Sequence, residues 1–230
     1  FLGFTNDDKK NTFAISFGTD NPDRKFIKKL KKYIHGFKEI SVREDSGVII
    51  VKTFNNMSAV RIGDPTLLLS DREWRCFYKN VCIEEENYIL VHFLNTPNNV
   101  ALEYIKKLEK EKNIQVVCIA YFYQVYDEMG WKYTDCGPEE YVSYIDKALY
   151  VCTDSYHTTL FSINLSSNFF VFDRQYINSY PQTSRIKDLL NRFGLSDRFI
   201  ISGNEELKNN IEINIETLNN ERNMSKRYLK

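Results

Sequence analysis

"GPEEYVSYIDKALYVCTDSYHTTLFSI", residues 137–163, reads as a helix, a strand and a second helix. Pro138 suits a first turn, and Glu139 and Glu140 sit where a helix dipole favours acids. "LYVCT" (149–153) is apolar and too short for a helix, so it is expected to be a buried strand. "DSYHTTLFSI" returns to helical spacing, with Asp154 or Ser155 as its cap. A buried strand that turns at once into a helix is half of a βαβ unit.

The same alternation extends in both directions. Downstream, "FFVFD" (169–173) is expected as a strand and "SRIKDLLNRFG" as a helix closed by Gly194, with a polar tail ending in a further helix. Upstream, "YILVHFL" (88–94) and "IQVVCIAYF" (114–122) are strands around a helix with Pro97 in its first turn. The aromatic stretch "YQVYDEMGWKYTDC" (123–136) fits no element and is expected to be a loop of the kind that lines sites. Nearer the start, "TFAISFG" (12–18) and "KEISVRE" (38–44) are strands flanking a helix over 20–37. That helix has Asp20 or Asn21 as cap and Pro22 in its first turn. "DSGVIIVKTF" fits helix or strand equally, and "GDPTLLL" (63–69) is a turn or strand end. "SDREWRCFY" opens a short helix at Ser70 or Asp71. A break near 80–86 divides the chain into two α/β parts, 1–83 and 84–230.

The basic helix is strongly two-faced. Phe26, Ile27, Leu30, Tyr33 and Ile34 share one side, and Arg24, Lys25, Lys28, Lys29, Lys31 and Lys32 share the other. A solvated face is the ordinary reading, and attraction to an anionic membrane surface is the alternative.

Composition excludes several classes. The 31 Lys+Arg balance 31 Asp+Glu, so net charge points to no nucleic-acid partner. No apolar run approaches the ~20 residues of a membrane span. The start, "FLGFTNDDKK", has neither a signal pattern nor an initiator Met, which suggests a chain lacking its N-terminal part. Cys76, Cys82, Cys118, Cys136 and Cys152 form no CxxC, so reduced, mostly buried thiols and a cytoplasmic location are expected. Clustered metal ligands are absent from the sequence, and so are the GxGxxG, P-loop, GxSxG and HExxH motifs.

Two positions carry the chemistry. His157 lies on the first turn of the helix after the strand "LYVCT", where free backbone amides attract phosphate or carboxylate. A histidine balanced between a helix dipole and a bound dianion can act as a general acid near neutral pH. Arg43 ends a strand, where its planar fork can reach an anion in the crevice. Asp64 before Pro65 reads as a turn former, His92 as a satisfied core histidine and His35 as a charge partner at a helix C-terminus.

The blocks "AISFG", "ISVRE", "GDPTLLL", "YILVHFL", the 137–163 segment, "FFVF" and "RIKDLLNRFGL", in this order, resemble the polysaccharide pyruvyl transferase family over about residues 12–198. The resemblance implies a GT-B-like fold: two Rossmann-like parallel sheets with flanking helices facing across a cleft, the N-terminal domain truncated here. It implies transfer of the enolpyruvyl carbons of phosphoenolpyruvate to a sugar as a cyclic ketal, with phosphate released and neither cofactor nor metal required.

By this resemblance Arg43 holds phosphoenolpyruvate and His157 matches the family's histidine at the helix start. Asp154 is offered as a catalytic base, with Asp45 and Glu44 as other options. Glu44, Ser155, Tyr156 and Thr158 are expected around the substrate. Some members have Arg-Leu-His where this chain has Ser155-Tyr156-His157, a variant associated with bacterial capsule and exopolysaccharide members. Lys132, Arg174 or Arg185 then supplies the second cation. The expected partners are phosphoenolpyruvate and a glycan acceptor, lipid-linked in one reading, with peripheral contact at the inner membrane face. The alternatives are a nucleotide-sugar glycosyltransferase of the same architecture and a member that has lost catalysis.

Overall fold

The computed structural model describes residues 4–34, 36–37, 39–54, 57–119, 123–175, 183–208 and 210–230. His35 lies outside them. Two parallel sheets organise the chain. The smaller pairs β1 (Ser41–Val42) with β2 (Val60–Arg61). The segment expected as a strand at 12–18 contributes only a bridge from Ile15 to Val42. Ala14 has a positive φ of 49°, which breaks the extended run. Side chains replace the ladder there: Ser41 N donates to Thr12 Oγ1 at 2.7 Å, and Ala14 N donates to Ser41 Oγ at 3.0 Å.

Helix α1 (Arg24–Ile34) starts later than the sequence suggests. Asp23, not Asp20 or Asn21, accepts from the Phe26 amide at 2.6 Å, so Pro22 lies ahead of the helix. The ambiguous stretch after β1 is α2 (Asp45–Lys52). Pro65–Leu67 forms a 3-10 turn capped by Asp64. Helix α3 (Asp71–Phe77) opens with a reciprocal capping box between Ser70 and Glu73.

The larger sheet holds β3 (Tyr88–His92), β4 (Gln115–Ile119), β5 (Lys132–Thr134), β6 (Tyr150–Thr153), β7 (Phe169–Phe172) and β8 (Phe199–Ile200). All are parallel, in the spatial order β5-β4-β3-β6-β7-β8. This is the doubly wound order, and its direction reverses between β3 and β6, where such sheets bind ligands. The sequence misses β5 and β8, which are three and two residues long. The stretch 123–136 is not a loop throughout: it forms α5 (Tyr123–Met129) and then β5.

Alternate residues of the central strands feed two cores, so these strands read as continuous apolar runs. Tyr88, Leu90, Val117, Val151 and Phe169 face α6 (Pro138–Lys147), α7 (Tyr156–Leu165) and α8 (Thr183–Arg192). Ile89, Val91, Val116, Cys118, Cys152 and Phe170 face α4 (Asn99–Lys112) and Tyr126 of α5. Asn98 caps α4, and Pro97 precedes it. A third core of Ile34, Ile40, Val42, Ile50, Val51 and Phe54 supports the small sheet.

The tail helix α9 (Ile215–Tyr228) returns to the first part of the chain. Arg61 donates to Glu221 at 2.7 and 2.9 Å, and Ser225 Oγ donates to the Gly63 carbonyl at 3.1 Å. The approach requires glycine, because a Cβ on Gly63 would lie 2.9 Å from the Glu221 carbonyl oxygen. Cys118 and Cys152 are buried, but Cys76 and Cys82 are exposed and Cys136 is half-buried, so the thiols are less enclosed than expected.

Candidate functional site

Arg43 follows β1, Asp64 follows β2, and His157 follows β6 across the first turn of α7. All three therefore stand at the C-terminal ends of parallel strands, two from the small sheet and one beside the reversal point of the large one. They meet on one carboxylate oxygen. Arg43 Nη1 donates to Asp64 Oδ2 at 2.7 Å, and His157 Nε2 lies 3.8 Å from the same atom. The distance from the imidazole is too long for a hydrogen bond but close enough for charge to matter.

Asp64 is 3% exposed, and its turn is held from several sides. Its Oδ1 accepts from the amide and the hydroxyl of Thr66. The Thr66 carbonyl accepts from Trp74 Nε1 at 2.9 Å, and Asn164 of α7 donates to the Leu69 carbonyl at 2.9 Å. Arg222 of α9 donates to the Leu67 carbonyl. A sequence reader sees Asp-Pro and infers a turn. The turn is real, and it also aims a second carboxylate oxygen at Arg43 and His157. The one available signal was the position of Asp64 shortly after the mixed stretch Val60-Arg61-Ile62.

Arg185 of α8 completes the cluster. Its guanidinium lies 5.4 Å from the Tyr156 ring centroid, and that of Arg43 lies 5.3 Å from it. The buried Tyr156 ring thus stands between two cations, a favourable place for an aromatic face. Arg185 Nη1 also donates to Ser16 Oγ at 3.1 Å and approaches Glu44 at 3.7 Å. Glu44 is buried and reaches Arg43 Nε at 3.4 Å. Of the three cations suggested for the second anion contact, only Arg185 lies in this cluster. Lys132 pairs with Glu85 at 2.6 Å, and Arg174 pairs with Asp154 at 3.0 Å.

Ser155, rather than Asp154, caps α7, accepting from the Thr158 amide at 3.3 Å. The Thr159 amide turns back to the Ser155 carbonyl. The amides of Tyr156 and His157 stand ahead of the helical ladder, the geometry that favours an anion. His157 is half-exposed beside them. Partial burial holds its pKa below the ordinary histidine value, Arg43 and Arg185 push the same way, and Asp64 opposes them. The free protein therefore keeps His157 neutral at neutral pH.

Two expected site residues are occupied elsewhere. Asp154 is 1% exposed and accepts from the amides of Leu94 and Asn95 and from Arg174 Nε. Burial raises its pKa against the pull of Arg174 and those amides. With its lone pairs turned to these donors, Asp154 ties the end of β3 to the end of β6. Thr158 is fully buried, and its hydroxyl bonds His92 Nδ1 at 2.6 Å and the Tyr141 hydroxyl at 2.8 Å. Burial pushes His92 down to about 4, so it stays neutral as a core histidine. Asp45, another carboxylate considered as a base, pairs with Arg61 at 3.3 Å and Arg192 at 3.1 Å.

Among the described residues no group of three or more His, Cys, Asp or Glu side chains is placed to hold a metal ion. No helix among them is long and apolar enough to cross a membrane.

The family model for polysaccharide pyruvyl transferases matches residues 2–176. That span contains Arg43, Asp64 and His157 but stops short of Arg185. No curated protein is significantly similar in sequence. Among solved structures, UDP-GlcNAc 2-epimerase of Methanocaldococcus jannaschii is similar in fold, with a TM-score of 0.54 at 12% identity. Its complex with UDP-GlcNAc and UDP gives 0.52 at 11% identity. Each match covers 85% of this chain and 62% of the other, so the chain spans less than two thirds of these relatives. At such identities the likeness establishes a GT-B-like fold of parallel sheets with flanking helices.

Proposed function

The chain belongs to the polysaccharide pyruvyl transferase family, and from that premise we propose that it moves the enolpyruvyl group of phosphoenolpyruvate onto a sugar and closes a cyclic pyruvate ketal. The observation that carries this reading is the meeting of Arg43 and His157 on Asp64, with Arg185 alongside. Phosphoenolpyruvate presents a carboxylate and a phosphate. Two guanidinium groups and two helix-start amides suit such a doubly anionic molecule.

His157 then protonates the methylene carbon, and C2 gains oxocarbenium character. The free imidazole is neutral, so it must acquire its proton in the complex. A bound phosphate dianion offsets the two arginines and leaves Asp64 to favour the imidazolium. A sugar hydroxyl attacks C2. Asp154, Asp45 and Glu44 are each engaged by an arginine, so the hydroxyl's proton is assigned to the imidazole that has just been deprotonated. A second hydroxyl displaces phosphate and its own proton leaves on that phosphate, while the first hydroxyl's proton stays on His157 and restores the imidazolium. The products balance as one ketal and one inorganic phosphate.

In this scheme Asp64 is a positioning residue: it orients Arg43 and biases the His157 proton. Asp154 and Thr158 hold the strand ends beneath the site. The epimerase likeness supports the fold only and lends no weight to a nucleotide-sugar substrate. The test supplies the protein with phosphoenolpyruvate and candidate glycans and follows phosphate release and a pyruvate-sized mass gain on the glycan. UDP-sugar turnover without phosphoenolpyruvate consumption would replace this reading with a glycosyltransferase. No turnover of either substrate class, together with no binding of phosphoenolpyruvate, would point to a member without catalysis.

A further inference from the structure

The surface of α1 is unlike the rest of the molecule. Arg24, Lys25, Lys28, Lys29, Lys31 and Lys32 are all exposed, and the helix carries no acid. The whole chain is neutral, with 31 cations and 31 anions, so six cations within eleven residues make a local positive field. None of the six pairs with a carboxylate among the described residues.

The opposite face is only partly used. Ile34 is buried in the small core, and Ile27 and Leu30 pack against it. Phe26 remains 37% exposed at the boundary with the basic face. Phe26, Leu30 and Tyr33 form a hollow with Lys29 at its edge. An apolar groove of about 370 Å³ continues from them past Phe37 and Ile40.

We propose that α1 docks this protein on an anionic lipid surface, with its lysines on headgroup phosphates and Phe26 and the adjoining groove against the acyl boundary. The combination selects this occupant. A soluble polyanion would satisfy the cations but leave the apolar hollow wet. A second copy of the chain would cover the hollow but set six cations against six. An anionic bilayer meets Phe26 and the hollow together with the lysines that border them, as it does the apolar edge and basic flank of interfacial helices. Ser16 lines the groove and also accepts from Arg185, so the groove adjoins the cluster around Arg43 and His157. The docking stands independently of the proposed reaction.

The test is sedimentation of the full chain with vesicles of phosphatidylcholine alone and of phosphatidylcholine mixed with phosphatidylglycerol. Binding is expected to the mixed vesicles only, weakening as salt rises. Lys25→Gln, Lys28→Gln and Lys29→Gln together should weaken it about a hundredfold, about fivefold per lysine. Phe26→Ser should weaken it about tenfold at every salt concentration. These side chains are exposed, and an unchanged circular dichroism melt confirms folding. The proposal is overturned by equal binding to neutral vesicles, by no binding to mixed ones, or by a triple variant that binds normally. It is also overturned if Phe26→Ser has no effect and an RNA homopolymer binds as well, which marks a general polyanion patch. A dimer abolished by Phe26→Ser, with no vesicle binding, would assign the face to a second copy.

Discussion

Asp64 and Asp154 are both buried aspartates just beyond a parallel strand, yet their surroundings differ in kind. Asp154 is enclosed by the large sheet's own groups: two amides of the loop after β3 and one arginine after β7. Asp64 divides its two oxygens. One is spent on the turn that carries it, and the other reaches Arg43 and faces His157. Burial and position in the fold are the same. The difference is that the partners of Asp154 belong to one sheet and those of Asp64 to two.

The Asp64 side should give the largest effect. If His157 supplies the proton, His157→Ala lowers kcat by about 10²–10⁴-fold, the usual scale of general acid catalysis. Thermal unfolding should hardly change, because the side chain is half-exposed. Full turnover in this variant would break the comparison on its functional side.

The clamp side should show the reverse pattern. Asp154→Ala leaves Arg174 without its carboxylate and two amides without an acceptor, at a cost of about 3–5 kcal/mol in denaturant unfolding. Asp154→Asn, which keeps an acceptor, should recover part of that stability. An Asp154→Asn protein that is fully stable but inactive would return Asp154 to the catalytic list.

A pH profile sharpens the contrast further. The acid must be protonated, so rates fall as pH rises through its pKa. For kcat/KM this is the pKa of free His157, held below the ordinary value by burial and two arginines. For kcat the fall should come at higher pH, because the bound dianion restores the proton. Asp64→Asn removes the one group that raises the pKa, so the kcat/KM limb should move to lower pH. Asp154→Asn should leave both limbs in place.

The smallest expected effect comes from Thr158→Val. It strips a hydroxyl from His92 and Tyr141 in the core and should cost about 1–3 kcal/mol of stability. KM for phosphoenolpyruvate should be unchanged, since Thr158 has no exposed surface. A raised KM would show that the backbone at the start of α7 had shifted.

Much of this arrangement could be read from the residues, and the omissions have physical causes. Helix starts at Pro138, Ser155 and Ser70 are encoded locally, because a cap acts within one turn. The central strands announce themselves because both faces are buried. The β1 and β2 strands pair over two residues each, too short for any periodicity, and their partnership is settled by packing around Val42. The strand order and the return of α9 to Gly63 depend on contacts far apart in sequence, 162 residues in the Ser225 case. His157 and Arg43 were visible because each sits at a strand end. Asp64 was hidden behind its turn, and the donors that engage Asp154 come from beyond β3 and beyond β7, which no local reading can supply.

The most direct test of the central claim is an NMR titration of the His157 ring with and without phosphoenolpyruvate, its signal identified by loss in His157→Ala. If Arg43, Arg185 and the start of α7 gather one doubly anionic ligand beside this imidazole, its pKa rises on binding, and the rise shrinks in Arg43→Ala at saturating ligand. An unchanged His157 pKa with phosphoenolpyruvate bound would contradict the account.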